Sequence, residues 1–250
     1  MMIDMHHHLI YGIDDGAKSF GGTEKMIEDA VKNQISVIVA TPHITPGQEP
    51  FPYDAFKARL EETRRYLKER NIPLKLYAGA EILYTPNTCY MLMDGKVPTM
   101  AGTQYVLVEF SPDDTLQHIT DALNNIAAAG YIPIIAHAER YDCLKKPDQL
   151  RRLRRDCNAL VQMNAKTVIR KHRFFRERYI RRILEEGLVD FISSDSHDMP
   201  GRSNHMLEAY ERLEEDLGEK QAWKLTYGNA DRFLRGSSQY QAEKDEGSAD

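Results

Sequence analysis

Short apolar runs alternate with amphipathic segments along most of this chain. The clearest run, at 36–41, is rich in β-branched residues, which is typical of a strand buried on both faces of a parallel sheet. Further runs predict strands at 3–10, 73–80, 104–110, 131–136, 159–163 and 188–193. Helical periods predict helices at 21–34, 54–70, 116–129, 147–156, 170–186, 204–217 and 220–234.

The order of these elements predicts the fold class. Strands that alternate with helices pair in parallel and are joined by right-handed crossovers. Seven such units predict an α/β fold, a (β/α)7 TIM-like barrel that spans residues 1–235. Residues 82–103 show no clear period and predict an irregular excursion over one end of the fold. The polar residues 236–250 predict a disordered tail.

Composition excludes several classes of protein. A formal net charge of −5 argues against a dedicated nucleic-acid binder. No apolar stretch approaches the length of a membrane span, and no signal peptide precedes the first strand. The 3 cysteines are scattered, which predicts reduced thiols in a cytoplasmic protein. The sequence also lacks a P-loop and the cysteine-plus-arginine loop of thiol-dependent tyrosine phosphatases.

A His-x-His pair lies in the first predicted strand. Alternate side chains of a strand share one face, so His6 and His8 are expected to point the same way and His7 to point away. Two imidazoles at this spacing can bind one Zn, Mn, Fe or Ni ion. The alternative is the remnant of a purification tag, although the run is short and lies inside a hydrophobic strand.

Histidines and acids recur at the carboxyl ends of the predicted strands, where parallel barrels form their active sites. The residues in question are His6, His8, His43, Glu81, Glu109, His137, Asp195 and His197. A mixture of imidazole and carboxylate without thiolate favours Mn, Fe or Zn. With an acid from Asp14 or Asp15 added, these ligands are too many for one ion. They predict two or three ions bridged by a carboxylate.

Each of these residues also has a structural interpretation. A buried histidine at a strand end is often a core residue with satisfied hydrogen bonds, and Asp14 or Asp15 is suited to cap the first helix. Glu109 lies between Val108 and Phe110, where an unpaired buried carboxylate would be costly. Residues interpreted as structural or as surface positions are His7, His118, His172 and His205. Candidates for lining the site or for simple packing are Tyr11, Tyr53 and Tyr84.

Clustered divalent ions on such a rim favour the hydrolysis of phosphate esters, because they activate water and clamp the attacking and leaving oxygens. Arg140 follows His137 by three residues and is suited to hold phosphate oxygens. Asp195 or Asp15 is a candidate to accept or donate a proton. The basic run at 170–182 is either a solvated helix face or an interaction surface for an acidic partner.

Several segments, in order along the chain, carry a family resemblance. They are Asp4-x-His6-x-His8, Asp14-Asp15-Gly16, Thr41-Pro42-His43, Gly79-Ala80-Glu81, Val108-Glu109-Phe110, His137-x-Glu139-Arg140 and Ser194-Asp195-Ser196-His197. Together they resemble the PHP (polymerase and histidinol phosphatase) superfamily. Within it, the chain is most similar to the bacterial manganese-dependent protein-tyrosine phosphatases of capsule and exopolysaccharide loci, from Met2 to about Arg235.

This resemblance implies a distorted seven-stranded barrel with three divalent ions, Mn²⁺ first and Fe or Zn as alternatives. The implied ligand sets are His6, His8, Glu81 and Asp195; Asp15, His43 and His197; and Glu81 (bridging), Glu109 and His137. Arg140 matches the arginine that these enzymes use on phosphate. The implied catalytic residues are Arg140, Asp195 and His137.

The resemblance further implies a substrate, phosphotyrosine on the C-terminal tail of a partner tyrosine autokinase that regulates polysaccharide export. Two other functions stay open at this point. One is a small-molecule phosphoesterase of the same superfamily, such as a histidinol-phosphate phosphatase. The other is a non-catalytic metal-binding or docking module. Neither nucleic acid nor membrane insertion is expected.

Overall fold

Every strand pairing in the described part of the chain is parallel. The structure, a computed structural model, describes residues 1–48, 50–198, 201–238 and 240–241. The strands are Met2–His7 (β1), Ile35–Ala40 (β2), His43–Ile44 (β3), Lys75–Ala78 (β4), Glu81–Leu83 (β5), Tyr105–Glu109 (β6), Ile132–Ile135 (β7), Leu160–Asn164 (β8) and Phe191–Ser193 (β9).

Helices connect these strands. They are Phe20–Lys32 (α1), Tyr53–Glu69 (α2), Thr88–Met93 (α3), Leu116–Ala128 (α4), Pro147–Asp156 (α5), Ala165–Ile169 (α6), Phe174–Glu185 (α7), Met206–Leu217 (α8), Glu219–Trp223 (α9) and Asn229–Leu234 (α10). Among the helices of the described residues, none combines the length and the apolar character that crossing a bilayer requires.

Two of the predicted strands are each followed by a short strand that lies beyond the predicted bounds. Proline cannot donate to a strand ladder, so β2 stops before Pro42 and β3 begins directly after it. The chain between β4 and β5 stays hydrogen-bonded to the break between β2 and β3. Gly79 N donates to Ala40 O (2.8 Å), and Glu81 N donates to Pro42 O (3.0 Å). A Cβ at Gly79 would lie 2.7 Å from Val39 Cγ1, so the close approach requires glycine.

The parallel sheet curls until its last strand lies beside its first. One segment has the strand order β1-β2-β4, and the other has the order β3-β5-β6-β7-β8-β9. A parallel bridge joins His7 to Ser196, and Asp195 N donates to His6 O at 2.9 Å. The expected mixed α/β fold, built on a curled parallel sheet, is confirmed.

The core lies on both faces of this sheet. Ile3, Met5 and Leu107 belong to an inner cluster, which Phe233 of α10 also joins. A larger outer cluster packs the other face of the sheet against the helices. Its helical members include Met26, Ile27, Ile119, Leu123 and Ile126.

The first strand departs from strict alternation. Met5 packs in the inner cluster, and its neighbour His6 also turns inward, toward Glu81. A register irregularity between Asp4 and His7 accompanies this change of face. The prediction that His6 and His8 point the same way agrees with their Nε2 atoms, which are 3.1 Å apart.

Three predictions of local structure were wrong. Residues 82–103 contain β5 and α3 rather than an irregular excursion, since a six-residue helix is too short to show a period. The predicted helix 170–186 begins only at Phe174. The predicted helix 220–234 is divided by a π turn at Lys224–Gly228. The expected tail at 236–250 falls largely on 239 and 242–250, outside the described residues; within the described part, Tyr240 is buried.

Asp4 links β1 by hydrogen bonds to the segments around Ser194 and Asn204, so substitutions at Asp4 test the fold. Its Oδ1 accepts from Ser194 N (3.0 Å) and its Oδ2 accepts from Asn204 Nδ2 (3.1 Å). Because Asp4→Ala leaves buried donors without an acceptor, it should lower the free energy of unfolding by about 3 kcal/mol. Urea denaturation measures the change. Asp4→Asn, which keeps an acceptor, should cost less, and Asp113→Ala on the exposed loop should cost almost nothing. Equal losses for Asp4→Ala and Asp113→Ala would contradict this role.

Candidate metal centre

Imidazoles and carboxylates converge in three sets within the described residues. In each set the potential ligand atoms lie within 4.8 Å of one another. The first set is His6, His8, Glu81 and Asp195; the second is His8, Asp15, His43 and His197; the third is His43, Glu81 and Glu109. We call these three sets, together with His137, the candidate metal centre. The structure thus brings together every metal ligand that the sequence predicted.

The carboxyl ends of the strands deliver most of these side chains. His6 and His8 lie at the end of β1, Glu109 ends β6, and His137 and Asp195 each follow a strand by two residues. His43 and Glu81 instead begin the short strands β3 and β5, which continue β2 and β4 beyond their breaks. Residues that are far apart in sequence therefore meet at one edge of the sheet.

Two of these residues have an unusual backbone conformation. His137 has φ 31° and Asp195 has φ 52°, both in the left-handed region that favours glycine. Non-glycine residues persist there only where the surrounding structure imposes the conformation, and such positions concentrate at functional sites. Both side chains turn from a strand end into the candidate metal centre.

Distances within the first set suit one metal ion. Glu81 Oε2 lies 3.0 Å from His6 Nε2 and 3.3 Å from His8 Nε2. Asp195 Oδ1 lies 3.6 Å and 3.7 Å from the same two nitrogens. Ligands placed about 2.1 Å from a common ion stand about 3.0–3.4 Å apart in octahedral or tetrahedral geometry. The closer contacts of the set match that range.

Glu81 is the residue whose surroundings fit a cation most clearly. Its Oε2 atom is buried and has no hydrogen-bond partner among the described residues, although imidazole nitrogens lie 3.0 Å away. The imidazole nitrogens and Glu81 Oε2 are close, but they do not have the alignment of a hydrogen-bond donor and acceptor. This arrangement is expected of metal ligands that all point toward the position of one ion. Burying an unpaired carboxylate oxygen is costly, and a cation at that point would remove the cost. The donor set therefore fits divalent metal ions.

The second set separates the roles of the two neighbouring aspartates. Asp15 Oδ1 lies 3.0 Å from His197 Nε2 and 3.3 Å from His43 Nε2. Asp14 Oδ2 instead accepts from His8 Nδ1 (2.7 Å) and from His43 N (3.0 Å). The geometry favours Asp15 as a ligand and Asp14 as the residue that orients His8, a choice that the sequence left open.

The third set gathers around the two glutamates. His43 Nδ1 lies 3.0 Å from Glu81 Oε2 and 3.3 Å from Glu109 Oε1. His137 Nε2 lies 2.8 Å from Glu81 Oε1 and 3.5 Å from Glu109 Oε2. Glu81 therefore touches both the first set and the third. Glu109 is 20% exposed, not buried as the sequence predicted, because β6 ends there.

Hydrogen bonds at Nδ1 orient four of the imidazoles. Gln162 Oε1 lies 3.3 Å from His6 Nδ1, and Tyr141 Oη lies 3.4 Å from His137 Nδ1. The Nδ1 atoms of His8 and His197 face Asp14 Oδ2 and the Asp195 carbonyl oxygen in the same way. A histidine held at Nδ1 presents Nε2 to the centre, as metal-binding histidines do.

Sequence analysis missed the residues that hold these imidazoles. Gln162 is fully buried between Val161 and Met163, and that polar residue in an apolar run was the available signal. Tyr141 directly follows the His137-x-Glu139-Arg140 segment, so its position was also visible. The contacts of these two side chains depend on how distant parts of the chain fold together, and the sequence pattern does not show that arrangement.

Carboxylates and imidazoles shift one another's pKa. Burial lowers the pKa of His8, but the hydrogen bond to Asp14 and the nearby Glu81 carboxylate outweigh it and raise the pKa to about 9. The same balance, with Glu109 and Glu81 as partners, raises the pKa of His43 to about 11 and that of His137 to about 9. Burial raises the pKa of Glu81, whereas nearby imidazoles hold it well below its ordinary value. Protons thus balance the carboxylates in the protein alone, and a divalent cation would displace them.

Two guanidinium groups border the candidate metal centre. Arg140 Nη2 donates to Asp195 Oδ2 at 2.5 Å. Arg202 Nη2 donates to Asp195 Oδ1 at 2.9 Å, and its Nη1 lies 3.6 Å from Asp15 Oδ2. Both arginine side chains are about two-fifths exposed, at 42% and 39%, so their remaining N–H groups can reach an incoming anion. Arg202 was not predicted from the sequence, where nothing distinguishes it from other arginines.

The remaining sequence candidates lie outside the three sets. His7 is fully buried, and its ring nitrogens have no hydrogen-bond partner among the described residues. Burial lowers the pKa of His7 to about 3, so this imidazole is neutral. The Tyr11 hydroxyl donates to Glu62, and Tyr84 accepts from Asn125. Other residues outside the sets are Tyr53, His118, His172 and His205.

Known proteins that are similar to this chain over nearly its whole length identify the family. The sequence profile described as "Capsular polysaccharide synthesis, CpsB/CapC" matches residues 2–235. The tyrosine-protein phosphatase CpsB of Streptococcus agalactiae serotype V is 31% identical over 242 residues, which cover 94% of this chain and 98% of that protein.

Solved structures agree with the sequence comparison. A crystal structure from work on YwqE of Bacillus subtilis and CpsB of Streptococcus pneumoniae, described as unique metal-dependent tyrosine phosphatases, has a TM-score of 0.83 at 28% identity. The match covers 95% of this chain and 96% of that chain.

A more distant structure shares the fold alone. Histidinol phosphate phosphatase from Lactococcus lactis, solved with zinc, L-histidinol and phosphate, has a TM-score of 0.55 at 14% identity. The match covers 88% of this chain and 93% of that chain. The profile match over nearly the whole chain and the similarity to CpsB decide the family. The chain belongs to the CpsB/CapC family of capsular polysaccharide synthesis proteins.

Proposed function

We propose that this protein is a metal-dependent protein-tyrosine phosphatase. The observation that carries the proposal is the candidate metal centre, in which imidazoles and carboxylates converge beside two half-exposed guanidinium groups. Metal ions with arginines at their border suit phosphate-ester hydrolysis. The CpsB and YwqE relatives, which match nearly the full chain, are named tyrosine-protein phosphatases.

The proposal assigns three divalent ions, with Mn²⁺ as the first choice and Fe or Zn as alternatives. The first ion is assigned to His6, His8, Glu81 and Asp195; the second to Asp15, His43 and His197; the third to Glu81, Glu109 and His137. Glu81 would bridge the first and third ions, in keeping with its contacts to both sets. When bound, such ions lower the pKa of water and polarise the phosphoryl group.

Arginines supply the phosphate contacts in this mechanism. Arg140 and Arg202 hold the non-bridging phosphate oxygens through N–H donors and offset the charge that develops on them. Asp195 accepts from both guanidinium groups and so fixes their spacing. Water attacks phosphorus in line with the tyrosine oxygen, so one P–O bond forms while the P–O bond to tyrosine breaks.

Asp195 and His137 are the other two residues to which the proposal assigns a role at the reacting centre. Burial raises the pKa of Asp195, but His6 and Arg140 outweigh burial and lower it below its ordinary value. Asp195 is therefore ionised at neutral pH, which suits it to bind a metal ion and to hold the two arginines rather than to donate a proton. His137 contacts both Glu81 and Glu109, and the short turn that follows it, Ala138–Arg140, carries the phosphate-binding arginine.

The proposal extends to the substrate, the location and the architecture. The substrate is phosphotyrosine on the C-terminal tail of a partner bacterial tyrosine kinase in the cytoplasm, and its removal regulates capsular or exopolysaccharide synthesis. Residues 1–235 form the catalytic unit, with 236–250 as a tail. If β2 with β3 and β4 with β5 are each counted as one interrupted strand, the unit is a distorted seven-stranded barrel that the His7–Ser196 bridge closes.

Substrate choice and metal dependence test the proposal together. The full-length protein should hydrolyse a phosphotyrosine peptide, lose that activity with a chelator, and regain it when Mn²⁺ is added. Metal content by elemental analysis should fall and rise in parallel with the activity. Much faster turnover of histidinol phosphate would support the small-molecule alternative, and peptide hydrolysis that ignores the chelator would refute the metal mechanism.

Removing either guanidinium group should impair the chemistry and leave metal binding in place. Arg140→Ala and Arg202→Ala are each expected to lower kcat/KM for a phosphotyrosine peptide by about 10²-fold, since each loses a donor to the transition state. Steady-state kinetics measure this loss. The matched control is Arg152→Ala on α5, where the side chain is 64% exposed and faces Asp156. Metal-dependent activity that survives Arg140→Ala would show that the phosphate site is misplaced.

Glu81→Gln tests the bridging carboxylate by a readout that does not depend on activity. The change keeps the shape of the side chain and removes its charge, so binding of Mn²⁺ should weaken by at least tenfold in calorimetry. Circular dichroism should show the same helix content as the wild type. Glu61→Gln, at an exposed side chain that pairs with Arg64, should bind Mn²⁺ normally. Unchanged Mn²⁺ affinity in Glu81→Gln would remove Glu81 from the ligand set.

A further inference from the structure

A cavity of about 460 Å³ lies beside the candidate metal centre, and its walls are strongly basic. We call it the basic cleft, and its cationic lining residues are Arg140, Lys166, Arg170, Lys171, Arg173 and Arg176. They come from the turn after β7, from α6, from the loop 170–173 and from the start of α7. The volume lies within the range of about 300–1,000 Å³ that small ligands occupy.

The basic run that the sequence left ambiguous divides into two parts. At the end of α7, Arg181 pairs with Glu185 and Arg182 pairs with Glu186, each at 2.8 Å. That part is an ordinary solvated helix face. The basic residues at 166, 170, 171, 173 and 176 have no ion pair with the described residues. The uncompensated charge is therefore concentrated where the cavity lies.

Two carboxylates near the basic cleft, Glu139 and Glu177, offset only part of the charge of its six cationic residues. Glu139 is buried, and its Oε1 accepts from Asn164 N (3.1 Å) and Thr167 Oγ1 (2.8 Å), beneath two residues that line the cleft. Glu177 accepts from the backbone of His172 at 3.3 Å. Several cations held close together repel one another, and an anion between them would relieve that repulsion. The chemistry of the basic cleft is that of a phosphate site.

Two side chains connect the basic cleft to the candidate metal centre. Arg140 and Asn164 both line the cleft, and both donate to Asp195 Oδ2, at 2.5 Å and 2.7 Å. A peptide whose phosphate lies at Arg140 would therefore place neighbouring residues over the cleft. An extended chain advances about 3.3–3.6 Å per residue, so positions a few residues away fall within its reach.

Exposed aromatic rings lie next to the cations. Phe174 and Phe175 are 72% and 83% exposed, and they stand between Arg173 and Arg176 in the first turn of α7. Their ring centroids are 5.5 Å apart. Exposed phenyl rings that are sequence neighbours of cleft arginines suit a ligand that carries both a phenyl ring and a phosphate. A concave site continuous with Arg140 also suits a peptide better than a flat membrane surface.

We propose that the basic cleft binds a second phosphotyrosine of the substrate peptide while the first lies at the candidate metal centre. The inference rests on the proposed phosphatase function and adds a preference for peptides that are phosphorylated twice. The cleft contributes to peptide affinity, and Arg140 links the two phosphate positions.

Peptide kinetics on the full-length Mn²⁺-loaded protein test this preference. A peptide with two phosphotyrosines separated by two to four residues should have a KM about tenfold lower than its singly phosphorylated counterpart. The variant Arg170→Ala/Arg173→Ala/Arg176→Ala should lose that advantage. Its kinetics on the singly phosphorylated peptide and on p-nitrophenyl phosphate should match the wild type.

A matched variant and a salt series complete the experiment. Arg181→Ala/Arg182→Ala removes two cations from the same helix outside the cleft and should keep the tenfold preference. Added salt should reduce the preference, because screening weakens exposed charge pairs. Thermal melting checks that each variant is folded.

Three results would overturn the inference. One is equal KM values for the singly and doubly phosphorylated peptides. Another is an equal gain when glutamate replaces the second phosphotyrosine, which would show that the cleft reads charge alone. The third is binding of phosphatidylglycerol vesicles that the triple variant abolishes, which would assign the cleft to a membrane surface.

A binding measurement separates this inference from the proposed function. Fluorescence anisotropy of labelled peptides on chelator-treated protein needs no turnover, and it should show tighter binding of the doubly phosphorylated peptide. Equal binding would refute the basic cleft as a second site even if hydrolysis is normal. Tighter binding without any hydrolysis of phosphotyrosine would support the cleft and refute the phosphatase proposal.

Discussion

The carboxylate of Glu81 lies out of water among imidazoles from His6, His8, His43 and His137, and the rest of the candidate site is arranged around it. A buried charge of this kind is tolerated only where opposite charge surrounds it. In the protein alone, protons on the imidazoles provide that charge, as the raised pKa values of His8, His43 and His137 indicate. Metal ions that replaced these protons would neutralise the same carboxylates and would also act as Lewis acids.

The need to surround the Glu81 carboxylate with imidazoles explains several local features that by themselves would only lower the stability of the fold. The breaks at Pro42 and Gly79 interrupt two strands, and directly after them His43 and Glu81 enter the centre. His137 and Asp195 adopt left-handed backbone conformations for the same purpose. Such strain lowers stability, and it is offset by the well-packed core on both faces of the sheet. Asp4, fixed between the first strand and the segment after β9, holds the two edges of the curled sheet together.

Charge is distributed unevenly over the molecule. The chain carries a formal net charge of −5, yet the rim beside the candidate metal centre is bordered by Arg140, Arg202 and the basic cleft. A local positive region on an acidic protein attracts anionic ligands to one place. Phosphate chemistry thus follows from the local field of the site, and the overall composition would have concealed it.

The pattern of apolar and polar residues was enough to predict the order of the elements, the parallel pairing and the residues that meet at the strand ends. Buried parallel strands are long apolar runs, and their carboxyl ends lie at one edge, so His6, Glu109 and Asp195 could be placed together without coordinates. Tertiary structure alone decided which nitrogen faces which oxygen. It distinguished Asp15 from Asp14, brought Gln162 and Arg202 to the centre, and divided the basic run into a paired helix face and an unpaired cleft. These outcomes depend on contacts between residues far apart in the chain and on strand breaks of one or two residues, which leave no periodic signal in the sequence.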